Sequence, residues 1–527
     1  MTATQEIEII ETDTKSSFAK ISSCGLIGVN GYAVEIETDI AGGLPNFILV
    51  GLPDTAINES RERVRSAIRS SGLEFPSKKI VVNLAPADTK KAGPTYDLPI
   101  AIGILTCYEP EVINKTNLES LYVVGELGLS GKVRPINGVL SFVILAKKKG
   151  AKGIIIPKDN SLEASLIEEI NIYPVSDLAE AINVINNLKN ISPFKNTTLS
   201  DTKNINKLSI DFSDVKGQAL AKRALEISAG GQHHVLMIGP PGSGKSMLAQ
   251  RLTTILPPLA YEEKIETTQV YSAAGKLNKE NSLVSLRPFR SPHHNISPAG
   301  LIGGGSIPQP GEISLAHNGI LFLDEFTEFP KQVLDSLRQA IEAKEVTISR
   351  SRKSCTFPCD FTLIAACNPC PCGYFGDNIK KCKCNLNNIK KYQGKISGPI
   401  IDRIDLQIEV KRLNENEIMS TKSSENSESV KERVLKVRKI QLNRYKKLNI
   451  PSNSHLSSKE IKYFCKTDKN GELILREAIK TFSLTARSFD RVLKVARTIA
   501  DLGNSDIIRD EHILEALQFR LNTFTNI

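Results

Sequence analysis

The sequence predicts an α/β protein built on a parallel sheet and closed by a helical C-terminal domain, and three observations predict it. The apolar run Val235–Ile238 reads as a buried strand, passes straight into Gly239-Pro240-Pro241-Gly242-Ser243-Gly244-Lys245-Ser246, and gives way to a helical pattern over 247–252. Between about 20 and 188, apolar strands such as Asn46–Val50, 79–84 and Gly153–Pro157 alternate with helical stretches. From 431 to 521 only helical patterning remains.

A chain of 527 residues holds roughly three domains, each long enough for its own core. Residues 1–188 form the first, an α/β domain. Residues 189–207, rich in Asn, Ser, Thr and Lys without hydrophobic period, read as an exposed linker. A nucleotide-binding core then occupies 208–411, a second polar linker 412–430, and a helical domain 431–527. The composition, 40% hydrophobic and 24% charged, is that of a soluble globular protein. No segment approaches the run of about eighteen apolar residues that crosses a bilayer, and residues 1–15 are acidic without a signal-peptide pattern, so the expected place is the cytoplasm, away from membranes. A net charge of +10 permits a polyanionic partner but marks no site.

The segment 239–246 fits the phosphate-loop pattern G-x-x-x-x-G-K-[ST]. Its glycines let backbone N–H groups close around phosphates, Lys245 supplies a point charge, and Ser246 offers a hydroxyl to Mg²⁺. Taken alone it could be a Gly/Pro turn. Ile320-Leu321-Phe322-Leu323-Asp324-Glu325 answers that reading: an apolar strand ending in two acids, Asp324 to hold Mg²⁺ and Glu325 to polarise attacking water. Gly239, Pro240, Pro241, Gly242, Ser243, Gly244, Lys245, Ser246 and Asp324 are therefore the expected ATP-binding residues, with Glu325 catalytic.

Among ten cysteines, Cys370, Cys372, Cys382 and Cys384 make a Cys-x-Cys, nine-residue, Cys-x-Cys pattern. It could give four thiolates to one structural Zn²⁺ or remain reduced free thiols, and Cys355, Cys359 and Cys367 nearby complicate the ligand set. Residues 346–349 and 356–357 flank Arg350-Ser351-Arg352-Lys353, which reads as a β-hairpin with a basic tip, either solvated or in contact with nucleic acid. A second candidate for such contact spans 286–294. The adjacent His293 and His294 lack supporting metal ligands, so a loop role is expected.

Several stretches resemble the magnesium-chelatase-like AAA+ ATPases of bacteria, of the ComM/YifB type, over nearly the whole chain. They are Arg290-Ser291-Pro292-His293-His294, the run Pro310-Gly311-Glu312-Ile313-Ser314-Leu315-Ala316-His317-Asn318-Gly319, and Leu484-Thr485-Ala486-Arg487-Ser488-Phe489-Asp490-Arg491. The resemblance implies an adenine contact at Asp214-Val215-Lys216-Gly217-Gln218 and a water-orienting sensor at Asn368, after the strand Ala365-Ala366-Cys367. It further implies a finger, Arg403, acting on the ATP of a neighbouring subunit, and a second sensor arginine, Arg487, whose alternative is a surface salt bridge. A ring of six copies, and a pore hairpin in which Arg350, Arg352 and Lys353 track DNA phosphates, are the family expectation.

In the first domain, the run from Gly125 to Gly138 resembles the Lon-protease domain, a ribosomal-protein-S5-like α/β fold. Lon chemistry needs a serine and a lysine base. The matching turn here is Gly93-Pro94-Thr95-Tyr96-Asp97 and the lysine position is Leu140, so peptidase activity is not expected and a structural or DNA-contacting collar is. The function implied is an ATP-driven DNA motor, a branch-migration helicase in homologous recombination and natural transformation. The alternatives are a chelatase-type ATPase driving metal insertion by a partner, and a regulator that uses ATP only to assemble.

Overall fold

Two strand systems, one mixed and one wholly parallel, organise the chain. The computed structural model describes residues 17–195, 210–277, 282–305, 307–350, 353–377, 379–419, 424–482 and 484–520. They fall into two units, Met1–Asp201 with Tyr271–Leu283, and Thr202–Val270 with Val284–Ile527.

The first unit opens with β1 (Ser17–Ile27) and β2 (Asn30–Ala41), an antiparallel hairpin whose tight turn uses Gly28 at φ 65°. β3 (Asn46–Val50), β4 (Lys79–Ala85), β5 (Leu121–Val123), the small ribbon β6 (Glu126–Leu127) and β7 (Val133–Arg134), β8 (Gly153–Pro157) and β9 (Asn171–Val175) follow. The seven-stranded sheet runs β3-β4-β2-β1-β5-β8-β9. Its β5, β8 and β9 are parallel, and β8 is buried at every position, as a strand covered on both faces must be. One face packs the helices Thr55–Ser70 and Asp97–Tyr108 in a cluster containing Ile36, Val64, Leu84 and Ile104; Val139–Lys148 covers the other, with Val143 and Ile154 in one cluster. Each such fully buried Ile or Val contributes roughly 2 kcal/mol. Asp54 caps Thr55–Ser70 by accepting from the Ile57 N–H at 2.9 Å, and its other oxygen takes the Gly93 N–H at 3.1 Å.

The second unit carries a five-stranded sheet of β10 (Val235–Ile238), β11 (Phe289–Arg290), β14 (Ile320–Leu323), β17 (Thr362–Cys367) and β18 (Leu406–Glu409), all parallel, ordered β11-β14-β17-β10-β18. Between them lie the ribbon β12 (Gly303–Gly304) and β13 (Gln309–Pro310) and the hairpin β15 (Glu345–Arg350) and β16 (Lys353–Pro358). Parallel pairing aligns the carboxyl ends of β14, β17 and β10 along one edge, the edge where such sheets bind ligands. The helices Ser427–Tyr445 and Ala486–Leu502 share the core of Ala219–Gly231 and Lys245–Ile255 through Val434, Ala496, Ile499, Leu225 and Leu252. Polar groups seal this junction: Arg491 donates to Asp405 Oδ1 at 2.5 Å and to the Arg403 carbonyl at 2.7 Å. Burial opposes ionisation of Asp405, but Arg491 and His233 beside it outweigh this and hold the carboxyl well below its usual range.

Two stretches differ from the predicted division. Glu415–Met419 is helical and Ser427–Tyr445 starts inside the stretch read as the linker 412–430, because Asn426 caps it and Val430 finds the core. Residues 271–283, expected in the ATPase core, cluster with the first unit, where the Ser272 hydroxyl bonds the buried Glu163. Glu163 also accepts the Leu140 N–H at 2.8 Å and the Asn160 amide at 3.2 Å, so its carboxylate is satisfied by three donors.

Candidate nucleotide-binding site

β10 ends between β17 and β18, with Ile238 opposite both Cys367 and Glu409, and the chain must turn there through the phosphate loop. Gly239 is required by space: a Cβ would stand 2.1 Å from the Val410 carbonyl oxygen. Gly242 and Gly244 are required by conformation, at φ 77° and 90° with nothing near an added Cβ. The result is an open cradle at the N-terminus of Lys245–Ile255, where free N–H groups favour an anion.

Lys245 is buried, and its ammonium donates to the carbonyls of Gly239 at 2.7 Å and Pro240 at 3.0 Å and to Asn368 Oδ1 at 3.4 Å. Burial lowers its pKa, against the pull of Asp324. Ser246 donates its hydroxyl to Asp324 Oδ2 at 2.6 Å. Two oxygens side by side, one of them a carboxylate, suit a hard cation such as Mg²⁺. Asp324 Oδ1 accepts the N–H of Glu325 at 2.9 Å, and Glu325 takes φ 51°, a left-handed conformation costing a non-glycine residue about 1 kcal/mol. Its carboxylate is half exposed and lies 2.9 Å from Nδ1 of His294. Glu325 and Asn368 line one cleft of about 460 Å³, together with Asn388, Lys391 and Lys395. Lys245, Ser246, Asp324, Glu325 and Asn368 thus meet at one edge. At the predicted adenine contact, Gln218 donates to the Lys411 carbonyl at 2.6 Å.

The arginines stand elsewhere. Arg403 is 2% exposed, bonds the Pro399 carbonyl at 2.5 Å and the Glu342 carboxylate, and its Nε has no hydrogen-bond partner among the described residues. Arg487 is exposed, with Nη1 3.9 Å from the same Glu342 oxygen. Glu342, which the sequence does not single out, is where the two converge.

The four predicted sulfurs also converge. Those of Cys370, Cys372, Cys382 and Cys384 all lie within 4.8 Å of one another, with Cys370–Cys372, Cys372–Cys382 and Cys370–Cys382 at 3.4, 3.5 and 3.7 Å. Zinc–sulfur bonds of about 2.3 Å set tetrahedral edges of about 3.8 Å, close to these spacings. Backbone N–H groups of Phe375 and Cys384 point at the sulfurs of Cys370 and Cys382, each at 3.3 Å. Desolvation pushes the Cys372 thiol up, but the N–H groups of Lys383 and Tyr374 and the adjoining thiols outweigh it and bring it to about 6. Cys355, Cys359 and Cys367 are buried outside the group. The helix that follows the Cys loop, Leu386–Gln393, is fastened to the start of that loop, since Gln393 donates to the Pro369 carbonyl at 3.0 Å.

The basic hairpin forms as β15–β16, with Arg350 opposite Lys353. Arg352 lies outside the described residues, as do the side chains of Arg350 and Lys353. In the first unit Leu140 is fully buried near the start of Val139–Lys148, and Tyr96 beside Thr95 is buried too. His294, to which the sequence assigns only a loop role, lies beside Glu325. The usable signal was position: it follows β11, whose pairing with β14 brings the next residues to the Glu325 edge.

A buried parallel sheet with a phosphate loop, a serine–aspartate oxygen pair and a glutamate at its carboxyl edge defines a P-loop nucleotide-hydrolysing protein. Its family is narrower. Residues 211–418 match the model for magnesium chelatase subunit ChlI, 36–160 that for subunit ChlI of Mg-chelatase, and 424–520 that for the ChlI C-terminal region. The chain is 42% identical over 507 residues to competence protein ComM of Haemophilus influenzae, covering 96% of this chain and 97% of that protein. It is 42% identical over 505 residues to YifB of Escherichia coli, with the same coverage. The chain belongs to the magnesium-chelatase-like AAA+ ATPases of the ComM/YifB type. A Lon protease of Trichlorobacter lovleyi is 24% identical over 180 residues, 32% of this chain and 22% of that protein, in keeping with a Lon-like N-terminal region. No helix among the described residues is long and apolar enough to cross a membrane.

Proposed function

We propose that this protein is a cytoplasmic DNA motor: a ring of six copies that hydrolyses ATP to drive branch migration in homologous recombination and natural transformation. The observation carrying the reading is the assembly of Lys245, Ser246, Asp324, Glu325 and Asn368 at one sheet edge. Similarity over the whole length to a protein named for competence supports the DNA substrate.

In this reading Lys245 leaves the loop carbonyls for the terminal phosphates, and the N–H groups opening Lys245–Ile255 hold the rest. Mg²⁺, when bound by Ser246 and Asp324, neutralises developing phosphate charge. Glu325 takes the proton of the attacking water as its oxygen bonds to the γ-phosphorus and the bond to ADP breaks, while the Asn368 amide orients that water. Arg403, freed from Glu342, reaches the ATP of a neighbouring copy, and Arg487 adds a second phosphate contact. The β15–β16 hairpin carries Arg350, Arg352 and Lys353 to DNA phosphates without reading sequence. The four thiolates would hold a structural Zn²⁺, which would stiffen the chain after Asn368.

The test is ATP-dependent resolution of a labelled four-way or three-stranded DNA junction by wild type and Glu325→Gln at equal concentration. Product from wild type alone is the expected result. ATP turnover and assembly without product overturns the motor, and favours the chelatase-type alternative in which a partner uses the energy.

A further inference from the structure

The chain that follows Asn368 comes back onto the phosphate loop. β17 ends at Cys367 opposite Ile238 of β10, so the Cys loop leaves the sheet where the phosphate loop does. Gly373 lies against Pro241: a Cβ there would stand 2.7 Å from the proline Cδ, and its φ of 84° disfavours any side chain. Tyr374 follows. Its N–H serves the Cys372 sulfur, while its ring centroid lies 4.2 Å from the Lys380 ammonium and 5.8 Å from the Arg412 guanidinium.

Arg412 is the other half of this contact. It stands just beyond β18, next to Lys411, whose carbonyl Gln218 holds at 2.6 Å. Its Nη2 donates to the Pro241 carbonyl at 3.4 Å, and its Nη1 is 3.9 Å from Oδ2 of Asp377, an ion-pair distance. The Asp377 side chain is 3% exposed. Its Oδ1 accepts the Ile379 N–H at 3.2 Å, while Oδ2 has no hydrogen-bond partner among the described residues, and Arg412 is the cation that faces it. One guanidinium therefore meets the phosphate loop on one side and two residues of the Cys loop on the other.

We propose that Arg412 is a strap through which metal on the four cysteines and nucleotide on the phosphate loop bind cooperatively. Four thiolates on one ion close the loop that carries Tyr374 and Asp377, so both stand ready for Arg412 as it holds the Pro241 carbonyl. Without the ion, the ordering of that loop is drawn from the free energy of nucleotide binding. Linkage makes the effect mutual: the factor that metal adds to nucleotide affinity is the factor that nucleotide adds to metal affinity. The proposal rests on the cysteines taking Zn²⁺ and on the phosphate loop taking ATP, and the experiment separates the three claims.

Zinc affinity of the full chain is read by equilibrium competition with a chromophoric chelator, with and without saturating ADP. The affinity for a fluorescent ADP is titrated on zinc-loaded and zinc-stripped protein. Wild type is expected to hold zinc roughly 10-fold more tightly with ADP bound, and to lose the same factor in ADP affinity when stripped. Arg412→Ala is expected to keep one zinc per chain and to bind ADP as weakly as stripped wild type, neither ligand then altering the affinity for the other. Tyr374→Leu, changed on the Cys-loop side of the contact, is expected to behave likewise, so the test does not depend on one variant. Lys245→Ala measures, at the same ADP concentration, any zinc taken directly by free nucleotide. Equal zinc affinity with and without ADP in wild type overturns the proposal, as does coupling that survives in either Arg412→Ala or Tyr374→Leu. Wild type that takes no zinc overturns the metal reading and the proposal with it, and wild type that holds zinc but no ADP overturns the nucleotide site.

Discussion

The turn at 93–97 in the first unit and the phosphate loop at 239–246 in the second both lead into a helix and end differently. Each uses a glycine at positive φ to start a helix, Gly93 at φ 84° and ψ 168° before a 3₁₀ turn and Gly244 at φ 90° and ψ 17° before an α-helix. In the first, the polar groups are consumed by the fold. Asp97 has a side chain 1% exposed, gripped by Arg63 at 2.7 and 3.1 Å and by the Leu127 N–H at 3.3 Å, while the Gly93 N–H goes to Asp54. In the second, the Lys245 ammonium rests on loop carbonyls that phosphates can replace, and Ser246 and Glu325 face solvent. A helix started from a glycine makes a joint where its polar groups are sealed in, and a site where they stay exchangeable.

The contrast can be broken at four points, in decreasing size of effect. Lys245→Ala is expected to weaken ATP binding by roughly 10³-fold, about 4 kcal/mol, without lowering the melting temperature. Fluorescent-nucleotide titration beside calorimetry checks both, and a melting loss would make Lys245 a joint like Asp97. Arg63→Ala does the reverse: it leaves a buried carboxylate unpaired and costs about 3 kcal/mol in denaturant unfolding, with nucleotide affinity unchanged. Cys382→Ser is expected to release one zinc per chain, measured by metal analysis, and to cost about 2 kcal/mol, the four sulfurs behaving as a joint made by metal. Thr95→Ala falls within about 0.5 kcal/mol of wild type and leaves turnover unchanged; a larger change would show that the 93–97 turn does more than join two elements.

Legibility followed how far apart the cooperating residues lie in the chain. The phosphate loop is eight contiguous positions, so its strand, turn and helix could be placed from residue type alone. Asp324 and Glu325 were readable because an apolar strand ends in them. The Cys pattern was readable as two pairs, but only the fold separates Cys370, Cys372, Cys382 and Cys384 from Cys355, Cys359 and Cys367. His294 was not readable as a neighbour of Glu325: the two are brought together by the parallel register of β11 with β14, which residue type does not encode. The burial of Arg403 against Glu342 was hidden for the same reason. Segment 271–283 escaped because its neighbours lie far away in the sequence, among them Glu163, more than a hundred positions upstream, which accepts the Ser272 hydroxyl.

Gly239 has a consequence beyond its own turn. The Val410 carbonyl presses where a Cβ would be, the Val410 N–H bonds the Ile238 carbonyl at 2.7 Å, and Gln218 pins the Lys411 carbonyl at 2.6 Å. A side chain at 239 would therefore push on the segment that leads into the C-terminal helices. The missing methyl group at 239 thus lets the phosphate loop and the chain beyond β18 pack backbone to backbone.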